Sequence, residues 1–599
     1  NNIDFYIETE RYMTSNQSQR MLYERWKKPG DVAILQRIDV PRNYTSKDIQ
    51  DASFMRLRNV RLTYRFPAPL LQKTKIFRSV DLFAQGENLY TWTNWRGLDP
   101  ENDRVYGRFE YPKARKYTTG INVNFLSESH EHKKKIYFFI LAGFFLLSCS
   151  KLDMTPTDSI DPSKAFRNLD DLNLGVLGAY APLEYTLIEA AAIVSDEVML
   201  PTENTVSNTA SYRWLYNSSY GSVTSAWGEY YVVIDRANRV LEAVPNVAVH
   251  SAQQSRLDQY QGEMLALRAY SHFELLKAYA SSYEPDGLGV PYMKKHELTY
   301  PARLTVKSDF DEINADLDAA KKLIPDGFND NTRITKTAVS AIQARVALYQ
   351  KDWANAVTYA SEVIAKEPLA SKNDFGKIWL GTSNAEVVWQ LARARGNSQI
   401  GSAFFRQTGE IVLYAPAFKL INLFDKDNDI RFEDYITYDQ ARQDNSGGKK
   451  SAYLVKKYNG NDPQYPGLTN IKLFRTGEMY LIRAEAQLEK DNTGAGITAA
   501  SKDLNDLRNA RIFGYTAETF SDKQNLLNAI YNERFTELAL EGHPFFDLKR
   551  RKLPVERISQ DVINASGAVK LESTAAQYCF PIPADEMSVN KNMVQNPNY

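Results

Sequence analysis

The stretch that decides the fold is residues 338–364, which read AVSAIQARVALYQ, then KD, then WANAVTYASEVI. Apolar and small residues recur every three or four positions on both sides of Lys351-Asp352, a spacing typical of amphipathic helices. We therefore predict two helices, Ala338–Gln350 and Trp353–Ile364, joined by a two-residue turn. Small side chains at positions 341, 344, 347, 356 and 360 allow two antiparallel helices to approach closely.

The same helical spacing recurs on both sides of this pair. One apolar stripe consists of Leu265, Ala269, Phe273, Leu276 and Ala280. A second candidate pair covers Glu478–Glu489 and Ala499–Ala510. These helix–turn–helix units resemble tetratricopeptide repeats, although they do not keep a period of about 34 residues. Between the helices, long stretches rich in Asn, Ser, Gly and Tyr cover residues 201–225, 371–415 and 435–470. Loops of this length in a compact domain are usually functional.

The composition is that of a globular chain and excludes several functional classes. Of the 599 residues, 43% are hydrophobic and 24% are charged, which excludes wholesale disorder. The 73 basic and 73 acidic side chains cancel, whereas a dedicated nucleic-acid binder usually has a basic excess. The two cysteines, Cys149 and Cys579, exclude a disulfide-rich scaffold and a paired-cysteine zinc site. Residues 1–127 hold 21 basic and 14 acidic side chains, and this local charge excess predicts two different parts in one chain.

A sequence typical of a lipoprotein signal lies inside the chain, at residues 133–149. Lys133–Lys135 precede a 12-residue apolar run, Ile136–Leu147, which is too short to span a bilayer and fits a secretory signal. The string Leu146-Leu147-Ser148-Cys149 resembles a bacterial lipobox, which implies lipidation of Cys149 as the new N-terminus. A buried core helix is the alternative. Because the signal is internal and the first residue is not Met, we expect two neighbouring reading frames joined together and a truncated N-terminus.

Before this signal, alternating side chains predict antiparallel strands. Apolar and polar residues alternate in Val60–Phe66 and in Tyr117–Phe125, and less cleanly over residues 80–87. A period of two suits a transmembrane β-barrel, with one face toward lipid and the other toward a polar lumen. A soluble antiparallel sheet with one wet face shows the same alternation. Three or four strands cannot close a barrel, so either structure would be incomplete.

Specific strings favour the barrel. They are Leu57-Arg58-Asn59-Val60-Arg61-Leu62-Thr63-Tyr64, Asn88-Leu89-Tyr90-Thr91-Trp92-Thr93, Gly97-Leu98-Asp99-Pro100-Glu101 and Gly120-Ile121-Asn122-Val123-Asn124-Phe125. Over about residues 1–125 the chain resembles the C-terminal end of SusC-like TonB-dependent transporters. The resemblance implies the last strands of a barrel, without the plug domain and most of the wall.

The C-terminal third carries a second set of distinctive strings. They are Met479-Tyr480-Leu481-Ile482-Arg483-Ala484-Glu485-Ala486, Leu504-Asn505-Asp506-Leu507-Arg508, Glu533-Arg534-Phe535-Thr536-Glu537-Leu538, Glu541-Gly542-His543 and Phe546-Asp547-Leu548-Lys549-Arg550. Together with the lipobox, they resemble the RagB/SusD family of outer-membrane nutrient-binding lipoproteins over about residues 149–599. The genes for such a lipoprotein and its transporter typically lie side by side, which agrees with the position of the internal signal.

These patterns predict a mostly α chain with a SusD-like fold, tetratricopeptide-like helix pairs and long loops. A few antiparallel strands of an incomplete transmembrane β-barrel precede it. The expected parts are a barrel fragment (1–125), a linker with a lipoprotein signal peptide (126–149), a tether (150–162) and a nutrient-binding domain (163–599).

The best candidate for ligand binding is a loop-like stretch within residues 204–227. Aromatic side chains stack on the apolar faces of sugar rings, and amides and Arg bind hydroxyl groups. The candidates are Asn204, Asn208, Tyr212, Arg213, Trp214, Tyr216 and Tyr220. A secondary candidate set is Trp389, Arg393, Arg395, Phe404 and Phe405. In both sets, the rings could instead pack the loops onto the helices.

No pattern indicates a catalytic centre. The charged residues Arg534, Glu537, Glu541, Asp547, Lys549 and Arg550 balance in sign at helical spacing, which favours a structural network. Asp196-Glu197 are adjacent and so do not suit the two carboxylates of a glycosidase. The run Asp425-Lys426-Asp427-Asn428-Asp429 lacks the Gly and the distal Glu of an EF-hand. We expect no catalytic residue, no cofactor and no metal site.

The resemblances imply a surface-exposed lipoprotein, lipid-anchored in the cell outer membrane, that binds a nutrient. The ligand would be an oligosaccharide or a peptide, delivered to a SusC-like TonB-dependent transporter for uptake, and nucleic acid is not expected as a partner. The alternatives are a surface glycan hydrolase and a helical-repeat scaffold that binds peptides or proteins.

Overall fold

A computed structural model of the 599-residue chain describes residues 2–3, 23, 26–33, 49–51, 53–74, 77–94, 99–101, 113–125 and 165–599. The chain forms two compact units, Asn1–Met154 and Thr155–Tyr599. Within the described ranges, no helix has both the length and the apolar character needed to cross a membrane. The signal sequence and Cys149 lie outside the described residues.

The N-terminal unit contains an antiparallel sheet of three strands: β1 (Phe54–Arg65), β2 (Phe77–Thr93) and β3 (Lys116–Phe125). The central strand β2 pairs with both neighbours, so that Leu82 lies between Tyr64 and Ile121. These three apolar side chains are exposed, as the period of two predicts for one face of the sheet. The predicted strands are confirmed, and in the described residues they do not close into a barrel. A two-residue strand pair (Asn2–Ile3 with Ile49–Gln50) and a short helix (Ala68–Gln72) complete the described elements.

The C-terminal unit is mainly helical. Its longer helices are α1 (Leu169–Tyr180), α2 (Thr186–Val194), α3 (Gly221–Ala243), α4 (Gln254–Tyr279), α5 (Val306–Leu323), α6 (Lys336–Gln350), α7 (Trp353–Lys366), α8 (Lys372–Trp379), α9 (Thr476–Lys490), α10 (Gly494–Arg511), α11 (Lys523–Glu537) and α12 (Pro544–Arg551). Successive helices pack as neighbours: α3 on α4, α4 on α5, α6 on α7, and α9 on α10. The mostly helical content agrees with the sequence prediction.

In the helix pair α6–α7, capping residues and one left-handed residue determine where each helix begins and ends. The Thr335 hydroxyl caps α6 by accepting from the Ala338 N–H at 3.1 Å, and the Asp352 side chain caps α7 in the same manner. Lys351 between them adopts the left-handed conformation (φ 60°), which ends α6 and reverses the chain. The predicted pair is therefore confirmed. The caps also account for the start of α6 at Lys336, two residues earlier than predicted.

Short strand pairs join the long loops of this unit. β4 (Val387–Leu391) pairs antiparallel with β5 (Ile471–Arg475), which directly precedes α9. The other pairs are Val198–Met199 with Ala415–Pro416, Phe405–Arg406 with Ile411–Val412, Ile436–Tyr438 with Tyr453–Val455, and Val555–Glu556 with Lys570–Leu571. Short helices occupy Thr209–Tyr212, Phe418–Ile421, Ile430–Tyr435, Gln440–Asn445 and Ala584–Val589.

A buried cluster of guanidinium and carboxylate groups, here called the ion cluster, joins these elements. Its members are Glu386, Asp429, Arg431, Arg475, Arg511, Glu533, Glu537 and Glu541. Glu537 lies at its centre: its carboxylate is 2.8 Å from Arg475, 3.0 Å from Arg511 and 3.0 Å from Arg431. Burial alone would raise the pKa of Glu537, but the three guanidinium groups together hold it below its ordinary value.

The other charged residues of the C-terminal strings are paired as well. Asp547 accepts from Arg534 at 3.1 Å and from Arg550 at 2.8 Å, and Arg550 also binds Glu485. The Lys549 ammonium donates to two backbone carbonyl groups, those of Lys277 and Ala280. The predicted structural network is therefore confirmed.

Replacement of Glu537 tests the importance of the ion cluster. We expect Glu537→Ala to lower the free energy of unfolding by about 3–5 kcal/mol, because three guanidinium groups would lose a shared buried partner. Urea unfolding followed by tryptophan fluorescence measures the loss. Glu518→Ala is the matched control: Glu518 forms a half-exposed ion pair with Arg508, so its loss should cost less than about 1 kcal/mol. Equal losses in the two variants would contradict the expectation.

Candidate functional site

Three aromatic residues of the best candidate stretch lie inside the protein. The Tyr212 hydroxyl donates to the Asp561 carbonyl at 3.0 Å, and the Trp214 indole N–H donates to the Val194 carbonyl at 2.9 Å. The Arg557 guanidinium lies over both rings, 3.7 and 4.1 Å from their centroids. Tyr216 is also buried and donates to the Gln577 carbonyl. These three rings therefore pack the loop onto the core, which agrees with the alternative given for this stretch, and core partners already occupy them.

The remaining residues of that stretch are divided between core and surface. Asn204 is buried, and its amide donates to the Ser207 and Leu413 carbonyl groups. Arg213 donates to the Asn564 carbonyl at 3.0 Å. Asn208 is exposed and donates to Glu189 at 3.2 Å, and Tyr220 is 39% exposed. Ligand contact by these residues stays a prediction.

The secondary candidate residues are also divided. Trp389 on β4 is fully buried and stacks on Phe474, and Phe404 is buried against Tyr458. Arg393 donates to the Leu183 carbonyl and to Glu184.

Arg395 and Phe405 of this set lie at an open cavity of about 420 Å³, here called the loop cavity. Its wall consists of Phe405, Gln407, Thr437, Leu454, Val455, Asn459, Gly460, Asn461, Asp462, Pro463 and Pro466. Phe405 belongs to this wall directly. Arg395 lies beside it, since its guanidinium binds Asp462 at 2.9 Å and lies 4.7 Å from the Tyr465 ring centroid.

Glycines hold the loops that form this cavity. Gly460 has φ +68°, and a Cβ there would lie 2.3 Å from the Leu468 carbonyl oxygen. Gly401 and Gly467 meet so closely that a Cβ on Gly401 would lie 2.5 Å from the Gly467 Cα. Real Cβ atoms do not approach other atoms this closely, so a larger residue at either position would push the two loops apart. The contact between glycines brings the Phe405 hairpin against residues 459–467.

The loop cavity presents hydrogen-bonding groups that the protein leaves free. Gln407, Asn459 and Asn461 are exposed, and within the described residues their side-chain amides have no hydrogen-bond partner. Each amide offers two donors and one acceptor. The Asp462 carboxylate adds acceptors, and its hydrogen bond with Arg395 lowers its pKa, which keeps it ionised. An aromatic ring beside free amides suits a ligand that carries many hydroxyl groups on an apolar ring.

The carboxylates considered for catalysis or for calcium binding do not line this cavity. Asp196 is buried and pairs with Lys419 at 2.5 Å. Glu197 is fully buried, accepts from the Leu540 N–H at 2.6 Å, and has its pKa raised to about 8 by burial. Asp429 of the acidic run caps a helix and binds Arg431. Among the described residues, no group of three or more His, Cys, Asp or Glu side chains is arranged to hold a metal ion.

Sequence reasoning missed the residues that form most of the cavity wall. The length of loop 435–470 indicated a functional region, but nothing in the local pattern distinguished Asn459 and Asn461 from other polar loop residues. The glycine pair that positions them joins residues 66 positions apart, a contact that spacing alone does not reveal.

Comparison with known proteins agrees with this fold. A family model described as SusD family matches residues 433–599, and one described as starch-binding associating with outer membrane matches residues 152–348. SusD-like protein P38 of Formosa agariphila is 24% identical over 491 residues, which cover 70% of this chain and 92% of the relative. The crystal structure of a SusD superfamily protein from Bacteroides thetaiotaomicron, 24% identical, matches with a TM-score of 0.64 and covers 72% of this chain and all of that one.

A further match is partial. TonB-dependent receptor P3 of Formosa agariphila is 36% identical over 107 residues, which cover 14% of this chain and 10% of the receptor. The chain therefore spans about a tenth of that relative. Taken together, the two family models and the relative matched over 92% of its length support assignment of residues 152–599 to the SusD/RagB family.

Proposed function

We propose that this protein binds an oligosaccharide at the outer membrane and does so in the loop cavity. The observation that carries the proposal is the set of free amides of Gln407, Asn459 and Asn461 beside the Phe405 ring. The family model that matches residues 152–348 is described as starch-binding and associated with the outer membrane, which supports a glycan ligand and this location.

Binding would leave the ligand chemically unchanged. A sugar ring stacks its C–H face on Phe405 while the amides exchange hydrogen bonds with its hydroxyl groups. A cavity of about 420 Å³ falls in the range of ordinary small-ligand sites. A bound sugar would replace the water that now solvates these amides.

Delivery to a TonB-dependent transporter is part of the proposal. The partial likeness to a TonB-dependent receptor and the exposed apolar face of the sheet β1–β3 support residues 1–125 as the end of such a transporter. The lipobox-like string supports Cys149 as the lipid anchor of a surface-exposed protein. The boundaries at 126–149, 150–162 and 163–599 follow from the same proposal.

Removal of the Phe405 ring tests the site. Phe405→Ala should weaken oligosaccharide binding roughly threefold to tenfold, because the stacking surface is lost while the amides remain. A glycan array identifies binders, and isothermal titration calorimetry then measures their affinity. Peptides on the same array test a peptide ligand.

Tyr300→Ala is the matched control for this variant, since Tyr300 is an exposed aromatic residue outside the cavity wall. It should bind like the unmodified protein. Full binding by Phe405→Ala, or conversion of a glycan into shorter products, would contradict the proposed function.

Lipidation of Cys149 is tested in cells. Mass spectrometry of the membrane fraction should detect an acylated polypeptide that begins at Cys149, separate from residues 1–148. In Cys149→Ala, the anchored species should disappear from this fraction, because no thiol remains to carry the lipid. An unacylated, full-length chain in the cytosol would contradict the anchor.

A further inference from the structure

A second open cavity, of about 520 Å³, adjoins the loop cavity and is here called the side cavity. The residues of its wall that can contact a ligand include Asn373, Trp379, Asp434, Lys456, Asn459 and Phe513. Asn459 and Gly460 line both cavities. The two spaces are therefore neighbours across a single turn of the chain.

The side cavity has the same kind of wall as the loop cavity. Phe513 is 54% exposed and offers a ring at the rim, with the Lys372 ammonium 5.5 Å from its centroid. Within the described residues, the exposed amides of Asn373 and Asn459 have no hydrogen-bond partner. Lys456 donates to the Glu433 carbonyl, and no carboxylate of the described residues lies within ion-pair distance of it. Its remaining N–H donors are free for a ligand.

One residue of the side cavity wall, Trp379, is buried and held between two cations. Trp379 is only 3% exposed, and the Lys457 ammonium and the Arg475 guanidinium lie 4.2 and 5.2 Å from its ring centroid. Its indole N–H has no acceptor among the described residues, and an unpaired buried donor is costly. Arg475 belongs to the ion cluster, so the cluster contacts this part of the wall. A preformed wall reduces the entropy lost on binding.

Asp434 adds an acceptor to the wall of the side cavity. Gly376 on α8 makes room for it, since a Cβ at that position would lie 2.5 Å from the Asp434 carboxylate. Burial raises the pKa of Asp434 to about 6, whereas Lys456 acts to lower it. Carboxylate, ammonium and amide groups around an exposed ring form a set that can bind a hydroxyl-rich ligand from several directions.

We propose that the side cavity is a second sugar subsite and that one oligosaccharide crosses the Asn459-Gly460 turn to occupy both cavities. This inference rests on the proposed function, because it needs the loop cavity to hold the first sugars. It adds a specificity for chain length: a short oligosaccharide fills the loop cavity alone, and a longer one also contacts Phe513 and Lys456.

Short and long oligosaccharides of one linkage test the inference on the full chain. The probes are maltotriose with maltoheptaose, laminaritriose with laminariheptaose, and a short and a long member of any other linkage that binds on the array. We expect the longer member to bind roughly tenfold more tightly, and Phe513→Ala to remove most of this advantage without changing the affinity for the shorter one. Lys456→Ala should act in the same direction, and Tyr300→Ala again serves as the exposed aromatic control.

The outcomes separate this inference from the proposed function. Equal affinity for short and long members, or a length advantage that survives both Phe513→Ala and Lys456→Ala, overturns the second subsite alone if Phe405→Ala still weakens binding. Failure of every oligosaccharide to bind overturns both. Phe513 is half-exposed and Lys456 lies on the surface of the cavity, so circular dichroism should show that both variants fold normally.

Discussion

The buried ion cluster around Glu537 is the interaction on which the C-terminal unit depends. It connects β5, α10, α11 and the loop before β4 through charges that have lost their water, so each charge needs its partners. Such a cluster adds little net stability compared with well-packed apolar residues. However, few other arrangements of the chain would pair all of these buried charges. We therefore infer that the cluster fixes where the strands meet the helices. Because Arg475 also lies beside Trp379, the ion cluster contacts the wall of the proposed second subsite as well.

The ligand-binding proposal depends on loops that a rigid frame holds in place. Tight glycine contacts and short hairpins position the free amides, while the helices beneath supply the core. A fold shared at 24% identity does not identify the ligand. The proposed ligand is therefore inferred from the residues of the cavity wall.

Most of the helices could be predicted from the sequence because the signals for helices are local. The spacing of small residues and the Thr335 and Asp352 caps are sufficient to define α6 and α7. The candidate site was harder to predict because exposure depends on distant residues. Tyr212 and Trp214 resemble ligand-binding aromatics in the sequence, yet Arg557, more than 340 positions later, covers both rings. Of the predicted site residues, Phe405 lines the loop cavity and Arg395 lies beside it, and the amides that complete its wall came from the structure.

Hydrogen–deuterium exchange of the full chain with and without a bound oligosaccharide tests the central claim most directly. If the loops around the Asn459-Gly460 turn hold the ligand, exchange should slow in residues 403–412 and 456–467 and stay unchanged in residues 204–220. Slower exchange confined to residues 204–220 would contradict the claim and would indicate that the ligand binds at the first candidate stretch.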